Sequence, residues 1–121
     1  FYAARARGGV ALMVTGGMAP NREGGVFPGA AGLFTADDIA SHRRVTGRVH
    51  DEGGRIAMQI LHAGRYAYGR DCVAPSAIRS PISPFAPAEL DEAGIETQIA
   101  DIATAAARAR EAGYDGVEVM G

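Results

Sequence analysis

Gln59, His62 and Arg65, inside "MQILHAGRYAYG" at residues 58 to 69, are the side chains of this sequence whose types and spacing point to chemistry. The stretch opens as an apolar strand, and alternation turns Gln59 away from Ile56, Met58 and Ile60. A buried amide left without partners costs about 1 to 3 kcal/mol, so this one is either satisfied by backbone and water or it holds something. An amide offers a donor beside an acceptor, which complements a nucleobase-like or flavin-like edge presenting N–H beside C=O. His62 and Arg65 follow at the strand's exit. The histidine has the chemistry of a general acid or base, or of a donor to an anion. The arginine has that of a phosphate or carboxylate anchor. The alternative is that both brace the following loop.

Gly16 and Gly17 close an earlier strand, "VALMVTGG", at the same end of the predicted sheet. There a missing side chain lets a planar ligand approach the backbone; an ordinary strand-to-loop turn is the other reading. Glu118 points inward from a third strand and is expected to form a structural ion pair with an arginine. Tyr66 and Tyr68 either line a substrate mouth or cover the loop. His42 and His50 fall on a helix, on its expected solvated side, and nothing is spaced to complete a metal site with His62. Cys72, the single cysteine, excludes an internal disulfide framework and reads as an inert loop thiol.

The elements that must position these residues repeat one pattern. Arg7-Gly8-Gly9, Glu52-Gly53-Gly54 and Ala112-Gly113 each stand between a helix end and an apolar strand, where glycine supplies the left-handed residue that turns the chain. Thr35-Ala36-Asp37-Asp38 has the spacing of a capping box and predicts a helix over 36–51. Ile95, Ile99, Ile102, Ala103, Ala106 and Ala109 recur at helical spacing behind Asp91, a candidate N-cap, and predict a helix that buries that face and ends at Gly113.

Strands separated by helices imply parallel pairing and an α/β protein. An open doubly wound sheet and a closed (β/α) barrel both fit. Each strand carries one oily face (Val10, Leu12, Val14; Ile56, Met58, Ile60; Val117, Val119) and one smaller or more polar face (Ala11, Met13, Thr15; Ala57, Gln59; Gly116, Glu118, Met120). That asymmetry favours the barrel, whose outer face meets helices while the inner one lines a confined interior. From Tyr66 to Leu90 the chain carries Pro75, Pro81, Pro84 and Pro87 without helical or strand period. It reads as a structureless functional loop on the site rim, or else as a linker.

The 121 residues, 47% hydrophobic, suffice for one core of ordinary size. With 21% charged residues and a formal net charge of -2, no basic stripe or acidic tail suggests nucleic acid or a membrane surface as a partner. No apolar run approaches the roughly 20 residues of a spanning helix, so the chain is expected to be soluble and cytoplasmic. Fingerprints of dinucleotide-binding folds, Walker loops and nucleophile elbows are absent.

The strings "FYAARARGGVALMVTGG", "QILHAGRY", "VAPSAI" and "AREAGYDGVEVMG", in this order and covering nearly the whole chain, resemble the Old Yellow Enzyme family of FMN-dependent oxidoreductases, most nearly its bacterial 2,4-dienoyl-CoA reductase branch. The resemblance implies a (β/α)8 TIM barrel with FMN at its C-terminal mouth, residues 1–121 running from the end of the first helix through the fourth strand. It implies that Gln59 hydrogen-bonds the flavin pyrimidine and that Gly16 lies beside the isoalloxazine ring; His62 and Arg65 share the motif without a settled role. NAD(P)H would reduce FMN, which would then reduce an activated C=C bond of an enone or dienoyl thioester. The proton donor of that branch, a tyrosine shortly after "VMG", would lie outside these residues. So would any 4Fe-4S cluster and FAD of longer members.

Because the sequence starts within a helix and stops after a strand, it is expected to be part of a longer chain and to be inactive and unstable alone. Two other classes compete. An aldolase or isomerase on a phosphate-binding barrel would want a lysine or paired carboxylates at strand ends, and the chain has no lysine. A small non-enzymatic α/β binding module would have to be complete in itself.

Overall fold

The computed structural model describes residues 1–120. Helix α1 (Tyr2–Arg7) leads into strand β1 (Leu12–Val14), followed by α2 (Ala36–Asp51), β2 (Arg55–Leu61), the short strands β3 (Val73–Ala74) and β4 (Ala88–Glu89), α3 (Glu92–Glu111) and β5 (Gly116–Met120). Strands β1, β2 and β5 form a parallel sheet in that order. Each strand neighbours the next one along the chain across a helical crossover, the arrangement of successive units of a (β/α) barrel rather than of a sheet that reverses its strand order. The fold is α/β, a portion of such a barrel.

Local signals in the sequence explain the joints. Gly9, Gly53 and Gly113, one at each helix-to-strand turn, have φ of 94°, 75° and 84°, a region costly for residues with a Cβ. Thr35 and Asp38 form the reciprocal capping box at the start of α2, and Asp91 accepts the N–H of Gly94 at the start of α3.

The core lies between the helices and one face of the sheet. It joins Ile56, Met58 and Ile60 of β2, all at most 1% exposed, to Ala6, Ile39 and Val49 and to Ala105, Ala109 and Ala112. The outward face expected for β2 is therefore the observed one, and Val117 and Val119 share it, because Met58 pairs with Val117 and Ile60 with Val119.

Two faces differ from expectation. On β1 the assignment is reversed: register pairs Met13 with Ile56, so Met13 enters the core while Leu12 and Val14 stay exposed on the inner side. In so short a strand one residue of register decides the face, and an unbranched methionine fills the core as readily as a leucine would. Helix α3 also departs from the predicted face in its first half. Ala109 is buried and Ala106 packs on the core, as expected of that face, but Ile95 and Ile99 are 44% and 56% exposed, while Gln98 and Ala105 are buried in their stead. The alanines allow close approach to the sheet, and the polar groups of Gln98 and Arg108 are taken up by the loop after β1.

The segment from Tyr66 to Leu90 is not structureless. After a 3-10 turn at Gly64–Tyr66, β3 and β4 pair in parallel, Val73 with Ala88 and Ala74 with Glu89. Ser83 donates its hydroxyl to the Ala67 carbonyl at 2.6 Å, and Ser80 and Cys72 are buried. Two-residue strands have no period to read, which is why the pairing left no trace in the sequence pattern.

Candidate functional site

The C-terminal ends of β2 and β5 and the loops leaving β1 and β2 stand together at one end of the sheet, with Gln59 and Gly16 outside the lining of the cavity formed there. Gln59 is fixed there through its backbone as well as its side chain. Its N–H donates to Thr15 Oγ1 at 3.1 Å and its C=O accepts the N–H of Met18 at 2.9 Å. Its Nε2 donates to Glu118 Oε2 at 2.8 Å, across the β2 to β5 pairing that sets the two residues side by side. Glu118 is thus not in the expected ion pair with an arginine: parallel register delivers the neighbouring amide instead. One amide hydrogen and Oε1 of Gln59 remain without a partner among the described residues, half-buried on the inner face.

The two glycines at the end of β1 separate into different cases. A Cβ on Gly17 would fall 2.6 Å from Leu61 Cδ2, so packing alone requires glycine. A Cβ on Gly16 would meet nothing within 4 Å, and its φ is not positive. The fold does not demand glycine at 16; the space in front of it is what a side chain there would occupy.

Beyond Leu61 lies a cavity of about 520 Å³ whose wall includes His62, Arg65 and Tyr66 from the β2 exit, Ser76 from the loop, and Met120 from β5. Arg65 sits over the Tyr66 ring and donates to its hydroxyl at 3.3 Å, with no carboxylate partner among the described residues. It is a cation still able to receive an anionic group. Tyr68 lies outside this wall, half-exposed.

His62 has the contacts of the second reading, a brace for the loop, made through a backbone N–H. Its Nδ1 accepts the N–H of Gly64 at 3.1 Å and its Nε2 lies 3.1 Å from Gln98 Oε1. Both ring nitrogens are engaged, with the proton on Nε2. Gln98, which the sequence reading passed over, is 8% exposed. It also accepts from Asn21 Nδ2 at 2.6 Å and donates to Glu23 Oε2 at 2.9 Å. A glutamine among the isoleucines of a helical pattern was the one available signal.

The remaining histidines are structural. His42 is not on a solvated side but half-buried, its Nδ1 hydrogen-bonded with the Tyr114 hydroxyl at 2.8 Å. Burial lowers the His42 pKa, against a smaller opposing pull from Asp38, and burial raises that of Tyr114 to about 12. The phenol therefore keeps its proton. His50 meets Asp115 at 2.9 Å at the opposite end of the sheet, alongside Arg55 at 3.2 Å. Burial alone would raise the Asp115 pKa; the Ile56 N–H, His50 and Arg55 outweigh it and hold the carboxyl below its ordinary value. Among the described residues no three His, Cys, Asp or Glu side chains are placed to hold a metal ion, and no helix is long and apolar enough to cross a membrane.

Residues 1–121 match the protein family described as NADH:flavin oxidoreductase / NADH oxidase. Over 127 residues the chain is 42% identical to a metal reductase of Desulforamulus reducens, covering 99% of this chain and 18% of that protein. It is 37% identical to the flavin oxidoreductase hxnT of Emericella nidulans, covering 34% of it. With an NADPH dehydrogenase of Listeria monocytogenes it shares 34% identity over 35% of that protein's length. The structure of morphinone reductase in complex with tetrahydroNAD superposes on 98% of the chain with a TM-score of 0.88 and 27% identity, over 38% of that enzyme. The chain thus spans roughly a third of the length of these oxidoreductases, and less of the metal reductase.

Proposed function

The chain belongs to the NADH:flavin oxidoreductase / NADH oxidase family, and we propose on that premise that it builds part of the FMN site of an NAD(P)H-dependent enzyme that reduces an activated C=C bond. The observation that carries the reading is Gln59. With one amide hydrogen held by Glu118, the side chain keeps a donor beside an acceptor, the pattern a flavin pyrimidine edge requires. The open space in front of Gly16 suits an adjoining planar ring. These residues fit FMN.

Bound FMN would supply the hydride chemistry between nicotinamide and alkene. The residues of this chain supply orientation. Thr15 and Met18 fix the Gln59 backbone, Glu118 sets which way its amide faces, and Gly16 keeps the neighbouring surface clear. In the cavity, Leu61, Val26 and Met120 offer an apolar wall, and Arg65 offers a cation to an anionic group of the substrate.

For the substrate we favour a 2,4-dienoyl thioester of coenzyme A. It rests on the resemblance of "FYAARARGGVALMVTGG" and "AREAGYDGVEVMG" to that reductase branch, and the combination of an apolar wall with one cation suits an acyl chain with an anionic carrier. Purification of the protein at its natural length, with and without Gln59→Ala, tests the reading. A yellow protein that releases FMN and oxidises NADPH with 2,4-hexadienoyl-CoA, and a variant that retains less flavin, would support it. Turnover of 2-cyclohexen-1-one but not of the thioester would keep the enzyme class and discard that substrate. A colourless protein that takes up no FMN would defeat the reading.

A further inference from the structure

The polar groups beside the cavity converge on a side chain that does not touch it. Gln98 Oε1 accepts from Asn21 Nδ2 at 2.6 Å and from His62 Nε2 at 3.1 Å, and Gln98 Nε2 donates to Glu23 Oε2 at 2.9 Å. Asn21 closes the figure by donating to Asp101 Oδ2 at 2.7 Å and accepting the Gly24 N–H at 2.7 Å. No buried side-chain nitrogen or oxygen among the described residues is left unpaired. The network is part-buried, with Gln98 its buried centre, and several hydrogen bonds on one side chain restrict its orientation.

That arrangement leads to the cavity wall through His62. With Nε2–H given to Gln98, Nδ1 is free to accept the Gly64 N–H, which starts the 3-10 turn carrying Arg65 and Tyr66. Gly64 itself has φ 53°, which glycine adopts without strain, so hydrogen bonds such as the one to His62 Nδ1 hold the turn in place. The imidazole is seated tightly: a Cβ on Gly24 would lie 2.5 Å from its Cδ2, and the Ala63 N–H donates to the Gly24 carbonyl at 2.9 Å.

We propose that Gln98 is a positioning residue for the substrate cavity, acting through His62 on the Gly64–Tyr66 turn. The inference rests on the enzymatic reading above and extends it to a helix residue outside the cavity lining. Glu23 and Asp101 are the charged groups facing this network from the β1 loop and from α3, and Arg65 is the one on the turn itself.

Steady-state kinetics on the protein at its natural length test it, with NADPH as donor and 2-cyclohexen-1-one as the probe alkene. His62→Asn, whose Oδ1 can accept the Gly64 N–H but which has no Nε2 to reach Gln98, should raise KM over wild type by less than His62→Leu does. His62→Leu and Gln98→Leu should each raise KM about tenfold while kcat and FMN content hold. Since Gln98 does not line the cavity, a raised KM in Gln98→Leu at full flavin content cannot come from a lost contact with the probe. An unchanged KM in that variant, or loss of FMN in step with KM, overturns the inference. If one leucine variant is insoluble, the other decides together with His62→Asn. Wild type that holds no FMN or turns over no enone defeats the enzymatic reading, and the inference falls with it.

Discussion

On one face of β2, Ile56, Met58 and Ile60 are at most 1% exposed and meet α2 and α3; on the other, Ala57, Gln59 and Leu61 are half-buried and face the inner side. The first face has apolar area and no hydrogen-bonding capacity to spare. The second has one oriented amide with capacity left over. Period-two alternation lets a single strand keep cohesion and recognition on opposite sides, so a change on either side should be felt by one property and not the other.

The largest effect is expected from Met58→Ala. Truncating a fully buried side chain should cost about 3 kcal/mol, seen as a lowered urea midpoint, while the folded fraction keeps its flavin. Flavin loss exceeding the loss of folded protein would break the separation of faces. The paired glycines sharpen it. Gly17→Ala pushes a methyl into Leu61 and should cost about 2 kcal/mol, whereas Gly16→Ala should change stability by less than about 0.5 kcal/mol yet weaken FMN binding. Equal destabilisation by both would mean that position 16 is also a packing site.

Next comes Glu118→Ala, which frees the Gln59 amide without touching the core. FMN affinity measured by fluorescence quenching should fall about tenfold, roughly 1.4 kcal/mol, with the unfolding midpoint nearly unmoved. The smallest effect concerns pH. The His42 pKa is lowered in the folded protein, so its contribution is full above the ordinary histidine value of about 6.5 and is lost as pH falls below it. The melting temperature should therefore drift down slightly from pH 7 to 5, and His42→Leu should flatten that drift. A steeper slope in the variant would reverse the sign assigned here.

Much of this was legible one residue at a time. Gly9, Gly53 and Gly113 marked the three turns, Thr35 and Asp91 marked two helix starts, and Gln59 stood out because an amide in an apolar strand needs a reason. What stayed hidden depended on partners far along the chain. Nothing near Glu118 foretold that register would bring Gln59 beside it rather than an arginine, nor that Met13, opposite Ile56, would reverse the faces of β1. Ile95 and Ile99 made a credible apolar stripe at the start of α3, yet they stay exposed while Gln98 beside them is held by the loop after β1; the later alanines of the same stripe, Ala106 and Ala109, are the ones that pack on the core. His62 was read from its chemistry; its role follows from its neighbours.

The separation of those neighbours along the chain also bears on the order in which the molecule assembles. The Thr35 cap closes within three residues, whereas Asn21 must meet Gln98 and Asp101 across 77 and 80. Contacts that span so much chain form only after their loop-closure entropy has been met by earlier ones, so the turn at Gly64 should become fixed after the β2 core. In native-state hydrogen exchange the amides of Gly24 and Gly64 should then trade with solvent well before that of Ile56. The part of the molecule that would meet a substrate should be the last to set, and a bound ligand should slow the exchange of its amides.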